Sequence, residues 1–196
     1  MKTDVCIVGD GIVGRTLSLL LAQTGLEVTL VQATTPTSTS TTPDVRAYAL
    51  SAASQGILES VRAWPTNPQD VGPISAMRIF DGQHLPVRFD AKAMQTSALA
   101  FMVAAPTLLD SLAQAIRFNP KITLANQVQE ATLQVICEGR SGQLRQQLGV
   151  EFTSQSYEQT AVAFKVKHSH PHEQVARQWF ENGDIIAMLP MANQEC

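Results

Sequence analysis

One glycine-rich bend constrains this chain more than any other feature. Val8-Gly9-Asp10-Gly11-Ile12-Val13-Gly14 follows directly on the apolar run Val5-Cys6-Ile7-Val8. Residues 4–8, short, rich in Val and Ile and ended by glycine, read as a buried parallel strand. Beyond the bend, Val13, Leu17, Leu20 and Leu21 recur at helical spacing. Gly25 is placed to end that helix, because glycine takes the left-handed conformation without penalty. Residues 26–31 (LEVTLV) then read as a second strand. The Gly9-x-Gly11-x-x-Gly14 spacing thus sits between strand and helix of one βαβ unit, the context in which it signals dinucleotide binding. Gly9 permits the tight turn, Gly11 lets backbone approach a pyrophosphate, and Gly14 lets the helix pack against the strand. The helix N-terminus offers free N–H groups and the positive end of a dipole to the phosphates. A glycine-rich turn without a ligand is the weaker alternative.

Two residues fit that reading poorly. The second strand of such units usually ends in Asp or Glu, which binds the ribose hydroxyls. Here the position is Gln32, followed by Ala33 and Thr34, with no arginine for a 2′-phosphate. Gln32 can accept a hydrogen bond but lacks the charge and the paired acceptors. Asp10 places a carboxylate inside an anion-receiving bend, which is unfavourable unless its side chain turns outward.

The composition excludes several classes. A net charge of -3 gives no reason to expect nucleic acid as a partner. Cys6, Cys137 and Cys196 lie far apart, without zinc or disulfide spacing, which suits a reducing, cytoplasmic setting. No apolar stretch is long enough to span a bilayer, and the N-terminus is unlike a signal peptide. His168-x-His170-x-His172 suggests a metal site only weakly, because Ser169 and Pro171 make the stretch a turn; no metal is expected.

Further along, the Thr/Ser/Pro segment 33–43 reads as an extended loop. Residues 51–61 read as a helix with Ile57, Leu58 and Val61 on its apolar face. Residues 74–80 and 85–89 flank Asp81-Gly82 as a hairpin. Residues 106–118 form a helix with Leu108, Leu112 and Ile116 aligned. Residues 131–137 read as another buried strand, and TAVAFKV, VARQWF and IIAMLPM as sheet segments of a second region. Trp179 and Phe180 are better explained as core than as the lining of a substrate cavity. No internal repeat is present.

Several separated stretches together resemble one family. They are DVCIVGDGIVGRTLSLLLAQTGLEVTLVQA, DVRAYALSAASQGIL, LLDSLAQAI, CEGRSGQLRQQLGVEFTSQSYEQTAVAFKV and PHEQVARQWFENGDIIAMLPM. In order and spacing they are similar to the flavin-dependent aromatic hydroxylases of ubiquinone biosynthesis, relatives of para-hydroxybenzoate hydroxylase. The resemblance implies an α/β fold: a Rossmann-like FAD/NAD(P)-binding domain (1–70 and 97–148) with part of a mixed β-sheet substrate domain (71–96 and 149–196). It implies a monooxygenase that binds FAD, takes electrons from NAD(P)H and hydroxylates a phenolic or prenylated ring.

Carried over by position, Gly9, Gly11, Ile12, Val13 and Gly14 would surround the pyrophosphate, with Gln32 and Ala33 at the adenosine ribose. Arg46 would lie beside the pyrophosphate, although it could instead pair with Asp44 or Glu59. Val128 would touch adenine through its backbone, and Glu138-Gly139 stands where the family usually has Asp-Gly. Ala104 and Pro106 replace residues that in relatives are often Glu and Arg. No catalytic residue is named, since the flavin carries the oxygen chemistry. The family's second flavin motif would fall beyond Cys196. The chain is therefore expected to be an N-terminal half or shortened form that alone holds FAD weakly and self-associates. The resemblance further implies an aromatic small-molecule substrate, and leaves open peripheral contact with the inner membrane or a biosynthetic complex. A non-catalytic nucleotide-binding or interaction module and an NAD-binding Rossmann domain are the competing readings.

Overall fold

The computed structural model describes residues 3–32, 44–82, 84–139, 142–151 and 153–196. In chain order the first elements are β1 (Thr3–Val8), α1 (Ile12–Gln23), β2 (Val28–Val31), β3 (Ala47–Leu50) and α2 (Ala52–Ser60). Next come β4 (Val71–Ile74), β5 (Ala76–Asp81), β6 (Val87–Asp90), β7 (Ala100–Ala104) and α3 (Ala105–Arg117). Last are β8 (Ile122–Ala125), β9 (Ala131–Ile136), α4 (Gln143–Gln147), β10 (Val175–Glu181) and β11 (Asp184–Met188). The chain divides into two compact units. The expected α/β class holds, with a parallel sheet in one unit and a mixed sheet in the other.

The first unit comprises Met1–Pro43, Ser60–Ala63 and Leu109–Val162. Its sheet runs β8-β2-β1-β9, parallel throughout. β1 is central, so it is buried along most of its length, and Cys6 and Ile7 expose nothing. Cys6, Val8 and Val31 form a small core against which Ala131 and Leu144 pack. Gly25 takes φ +94 just past α1, as expected of a helix stop.

The buried face of α1 differs from the sequence expectation. Gly14, Ser18, Leu19 and Ala22 face inward, whereas Val13 is 69% exposed. Gly14, Ser18 and Ala22 recur every fourth residue, so the buried stripe consists of small side chains, which lets a helix lie close to a sheet. The larger leucines at 17, 20 and 21 flank it, half-buried. Ser18 is buried without penalty because its hydroxyl donates to the Arg15 carbonyl at 2.7 Å. β9 also departs from expectation: despite its apolar sequence it is half-exposed, with Leu133 at 53%. It lies at the edge of the sheet, where one side of a strand has no neighbour.

The second unit comprises Asp44–Glu59, Trp64–Leu108 and Ala163–Cys196. An antiparallel sheet β3-β7-β4 lies in it beside a mixed sheet β11-β10-β5-β6. Ile74, Ala100, Met102 and Ala176 make its core, with Ala47, Met77 and Met191 packed around. The expected hairpin forms between β5 and β6, with Gly82 at φ +52. A second hairpin joins β10 to β11 through Asn182 and Gly183, both left-handed, the pair that a two-residue hairpin turn of type I′ requires.

Leu58, Val61, Leu108, Leu112 and Ile116 are buried as expected, while Ile57 is exposed. TAVAFKV forms no strand among the described residues; its end only pairs with the C-terminus, Val166 exchanging backbone hydrogen bonds with Cys196 beside an isolated bridge from Lys167 to Glu195. Without sheet neighbours its Val162 and Phe164 stay exposed. Trp179 is not core either: it stacks on Phe80 at 5.5 Å, half-buried, and Phe180 is exposed. Both lie in a sheet whose outer strands β6 and β11 are exposed along their length.

Candidate dinucleotide site

The bend sits at the carboxyl end of β1, between two strands that arrive from different parts of the chain. β2 follows one helix later, while β9 pairs on the opposite side. Such a reversal of strand order opens a crevice outside the carboxyl ends of the strands, where open α/β sheets bind ligands. Each glycine can be tested by asking what a Cβ would meet. At Gly9, with φ +112, it would lie 2.5 Å from the Cys137 carbonyl oxygen. At Gly14 it would lie 1.9 Å from the Gly9 carbonyl oxygen. Both positions are closed by backbone, so both glycines are structural necessities. Gly11 differs: nothing lies within 4 Å of its Cβ position. It is exposed, it begins α1, and no side chain caps the helix there. Open space, an uncapped helix start and no Cβ fit a pyrophosphate.

Asp10 does not stand alone in the bend. The Arg15 guanidinium donates through Nε to the Asp10 carbonyl at 2.7 Å and through Nη1 to the Leu109 carbonyl at 2.8 Å. Its Nη2 also stands 3.5 Å from the Asp10 carboxylate. Sequence reasoning passed over Arg15. Its only local signal is a position five residues after an acid, and its bond to α3 spans 94 residues.

Glu138 and Gly139 lie just after β9, next to the bend: the Cβ position of Gly9 also comes within 2.9 Å of the Glu138 nitrogen. The Glu138 carboxylate turns onto α4 and accepts from the Leu144 N–H at 3.0 Å. Gly142, at the start of that helix, has no room for a Cβ because Glu138 Oε2 would be 2.6 Å away. Glu138 thus caps a short helix. Gly139, at φ +73, turns the chain between strand and helix.

Gln32 directly follows β2 and donates its backbone N–H to the Ala125 carbonyl at 2.8 Å. Val128 is 44% exposed in the segment leading into β9. The neighbouring Gln129 N–H points at the Cys6 sulfur, 3.5 Å away. Ile12 and Val13 lie in the first turn of α1. Ala33 and the rest of segment 33–43 lie outside the described residues. The first unit therefore gathers the bend, Gln32, Val128 and Glu138-Gly139 around the sheet that carries β1, β2 and β9.

Arg46 belongs to the second unit. It grips Asp44 with Nε at 2.9 Å and Nη2 at 2.7 Å, a two-point carboxylate contact. The hydrogen bond from Arg46 holds the Asp44 carboxyl down at about 2 from its usual 3.8. The same bond pushes the Arg46 pKa upward. Because the folded Asp44 pKa is depressed, its stabilising contribution is complete above about pH 4. It is lost as pH falls through about 2. An exposed pair of this kind is worth about 0–1 kcal/mol. Comparing Asp44→Asn with wild type in urea should show that small difference at pH 7, shrinking steadily from pH 4 to pH 2.

The histidines serve the second unit. His172 Nε2 faces the Met191 carbonyl at 2.8 Å, while its Nδ1 accepts from the Gln174 N–H at 3.0 Å. That arrangement describes a neutral ring holding a turn. His168 contacts the His170 carbonyl through Nδ1 and the Cys196 sulfur at 3.4 Å through Nε2. Burial raises the Cys196 pKa, which keeps the thiol protonated rather than activated.

A family model described as an FAD binding domain matches residues 2–116. The chain belongs to that family. The matched range of the FAD-binding domain family holds the whole bend, Gln32 and Arg46. Among curated proteins, the chain is 28% identical to the 3-demethoxyubiquinol 3-hydroxylase of Escherichia coli K12, over 96% of this chain and 54% of that one. It is 27% identical to the ubiquinone hydroxylase UbiL of Rhodospirillum rubrum, over 96% and 49%. The chain spans about half the length of these relatives. Among solved structures, PqsL of Pseudomonas aeruginosa, described as a probable FAD-dependent monooxygenase, superposes with a TM-score of 0.78. The identity there is 14%, covering 100% of this chain and 59% of that one. At such identity the likeness concerns the fold. The family resemblance read from the separated motifs is borne out.

Proposed function

We propose that this chain is the dinucleotide-holding part of an FAD-dependent monooxygenase that hydroxylates a phenolic or prenylated aromatic ring in ubiquinone biosynthesis, with NAD(P)H as reductant. The observation that carries the proposal is the bend between β1 and α1, where Gly9 and Gly14 are closed by backbone and Gly11 alone of the three faces open space. The names of the relatives support the ring chemistry. FAD, when bound, would supply the oxygen-transfer chemistry.

In this reading Gly11, Ile12 and Val13 present backbone N–H groups to the pyrophosphate at the start of α1, and Gly9 and Gly14 shape the approach. Gln32 and Ala33 meet the adenosine ribose, and Val128 meets adenine through its backbone. Arg46, held by Asp44 in this structure, is assigned to the phosphates by the family resemblance alone. Glu138 and Gly139 close the β9 side of the crevice. Stretches 1–70 and 97–148 form the FAD-binding domain, and 71–96 with 149–196 part of the substrate domain. No helix among the described residues is long and apolar enough to cross a membrane. A prenylated substrate is best met from the cytoplasmic side of the inner membrane, by peripheral contact.

The exposed apolar residues of the mixed sheet, Val87, Phe89, Ile185 and Ile186 among them, favour a second reading. In it the chain is a nucleotide-binding or interaction module whose chemistry depends on further polypeptide. Titrating purified protein into FAD separates these readings from an unrelated function. Saturable quenching of flavin fluorescence is expected, and NADH oxidation stimulated by added phenol marks the enzyme. Binding without oxidation supports the module, and absence of any FAD binding rejects both.

A further inference from the structure

The Arg15 side chain is only 18% exposed, yet it reaches two carbonyls in different segments of the first unit. One of them has a consequence for the bend. The Asp10 carbonyl and the Gly11 N–H belong to the same peptide group. That group is planar and trans, with no cis peptide bond among the described residues. Its carbonyl and its N–H therefore point in opposite directions. Arg15 Nε holds the carbonyl at 2.7 Å, so the Gly11 N–H must point away from Arg15, at a residue whose own Cβ position borders open space. The second bond, from Nη1 to Leu109, anchors the guanidinium to α3, so the plane of the peptide is braced against a separate helix.

We infer that Arg15 is a positioning residue for anion binding: it clamps the Asp10–Gly11 peptide so that the Gly11 N–H is presented to a phosphate. The inference rests on the dinucleotide reading of the site. A free peptide group could rotate and present its carbonyl to the phosphate, which would repel the ligand. The clamp removes that alternative before the ligand arrives, which is how fixed dipoles gain affinity over mobile ones. Arg15 also offsets the Asp10 carboxylate, whose nearest contact at 3.5 Å is long, so the carbonyl contact at 2.7 Å is the stronger of the two. Lysine does not reproduce this geometry, because its three donors sit on one nitrogen whereas the two carbonyls here are met by separate atoms, Nε and Nη1, of a planar fork.

The test uses ADP and adenosine as probes, with calorimetric titration of the full chain. Arg15→Met and Arg15→Lys should each weaken ADP roughly tenfold, the size of one lost hydrogen bond to an ionised group. Adenosine affinity should stay within about twofold, and the urea midpoint of Arg15→Lys should be near that of wild type. Asp10→Asn should strengthen ADP binding, and by the same factor in the Arg15→Met background as in wild type.

Three results overturn the inference: unchanged ADP affinity in Arg15→Met, equal loss of ADP and adenosine, or an Asp10→Asn/Arg15→Met double variant restored to wild-type affinity. The last would make Arg15 a charge neutraliser instead. If wild-type protein binds neither ADP nor FAD, the dinucleotide reading itself fails and the inference falls with it. That case is told apart because the defect is already present before any substitution.

Discussion

Gly14→Ala should destroy the fold of the bend, while Gly11→Ala should leave the fold and destroy its use. The Cβ added at Gly14 would lie 1.9 Å from the Gly9 carbonyl oxygen, and its next neighbour is also backbone. A flexible side chain could step aside, but a carbonyl at the end of a central buried strand cannot. Relief requires α1 to lift from the sheet, uncovering the small-residue stripe of Ser18 and Ala22. Overpacking costs about 1–3 kcal/mol where side chains can adjust, so the cost here should stand at or above the top of that range.

At Gly11 the added methyl meets nothing. The change at a helix start costs at most about 1 kcal/mol. Yet the methyl occupies the open side of the bend, where a pyrophosphate must come close to backbone. Urea midpoints paired with ADP titrations check both claims. The first variant should lose stability, and the second should keep it while losing ADP binding by roughly tenfold or more. If Gly11→Ala binds ADP like wild type, the open face is not where phosphate sits.

The second large effect concerns the strand that carries the bend. Ile7 exposes nothing and pairs with Leu30 on one side and Val135 on the other. Its replacement by alanine should cost about 2–5 kcal/mol, the usual price of a large-to-small change in a core that cannot collapse. Leu133→Ala, in the equally apolar edge strand β9, should cost less than about 1 kcal/mol because Leu133 is already half in water. Equilibrium denaturation of the two variants tests the strand order. Equal losses would mean that β9 is covered in solution, by a second copy or another chain.

Much of the first unit was legible because its signals are local. A strand ended by glycine, a helix ended by glycine and a following strand each depend on a few neighbouring residues, and Gly9, Gly14 and Gly25 behave as their spacing predicts. The β5–β6 hairpin was readable from Asp81-Gly82 for the same reason. The misjudged elements share a different cause. Apolar β9 stays half-exposed, α1 turns small residues inward where its periodicity points to Val13 and leucines, and TAVAFKV forms no strand among the described residues. In each case composition resembles a core element, but burial is decided by what lies alongside.

The amino-acid sequence by itself determined the βαβ unit, the glycine-rich bend and the family, because glycine geometry and apolar periodicity act within a turn or two of chain. Only the tertiary structure decided that Arg15 reaches from the bend to Leu109, that Glu138 caps α4 and that Arg46 grips Asp44. Those side chains have several candidate partners of suitable charge along the chain. Which one lies within hydrogen-bonding distance is set by strand pairing such as that of β1 with β9, which joins segments more than a hundred residues apart.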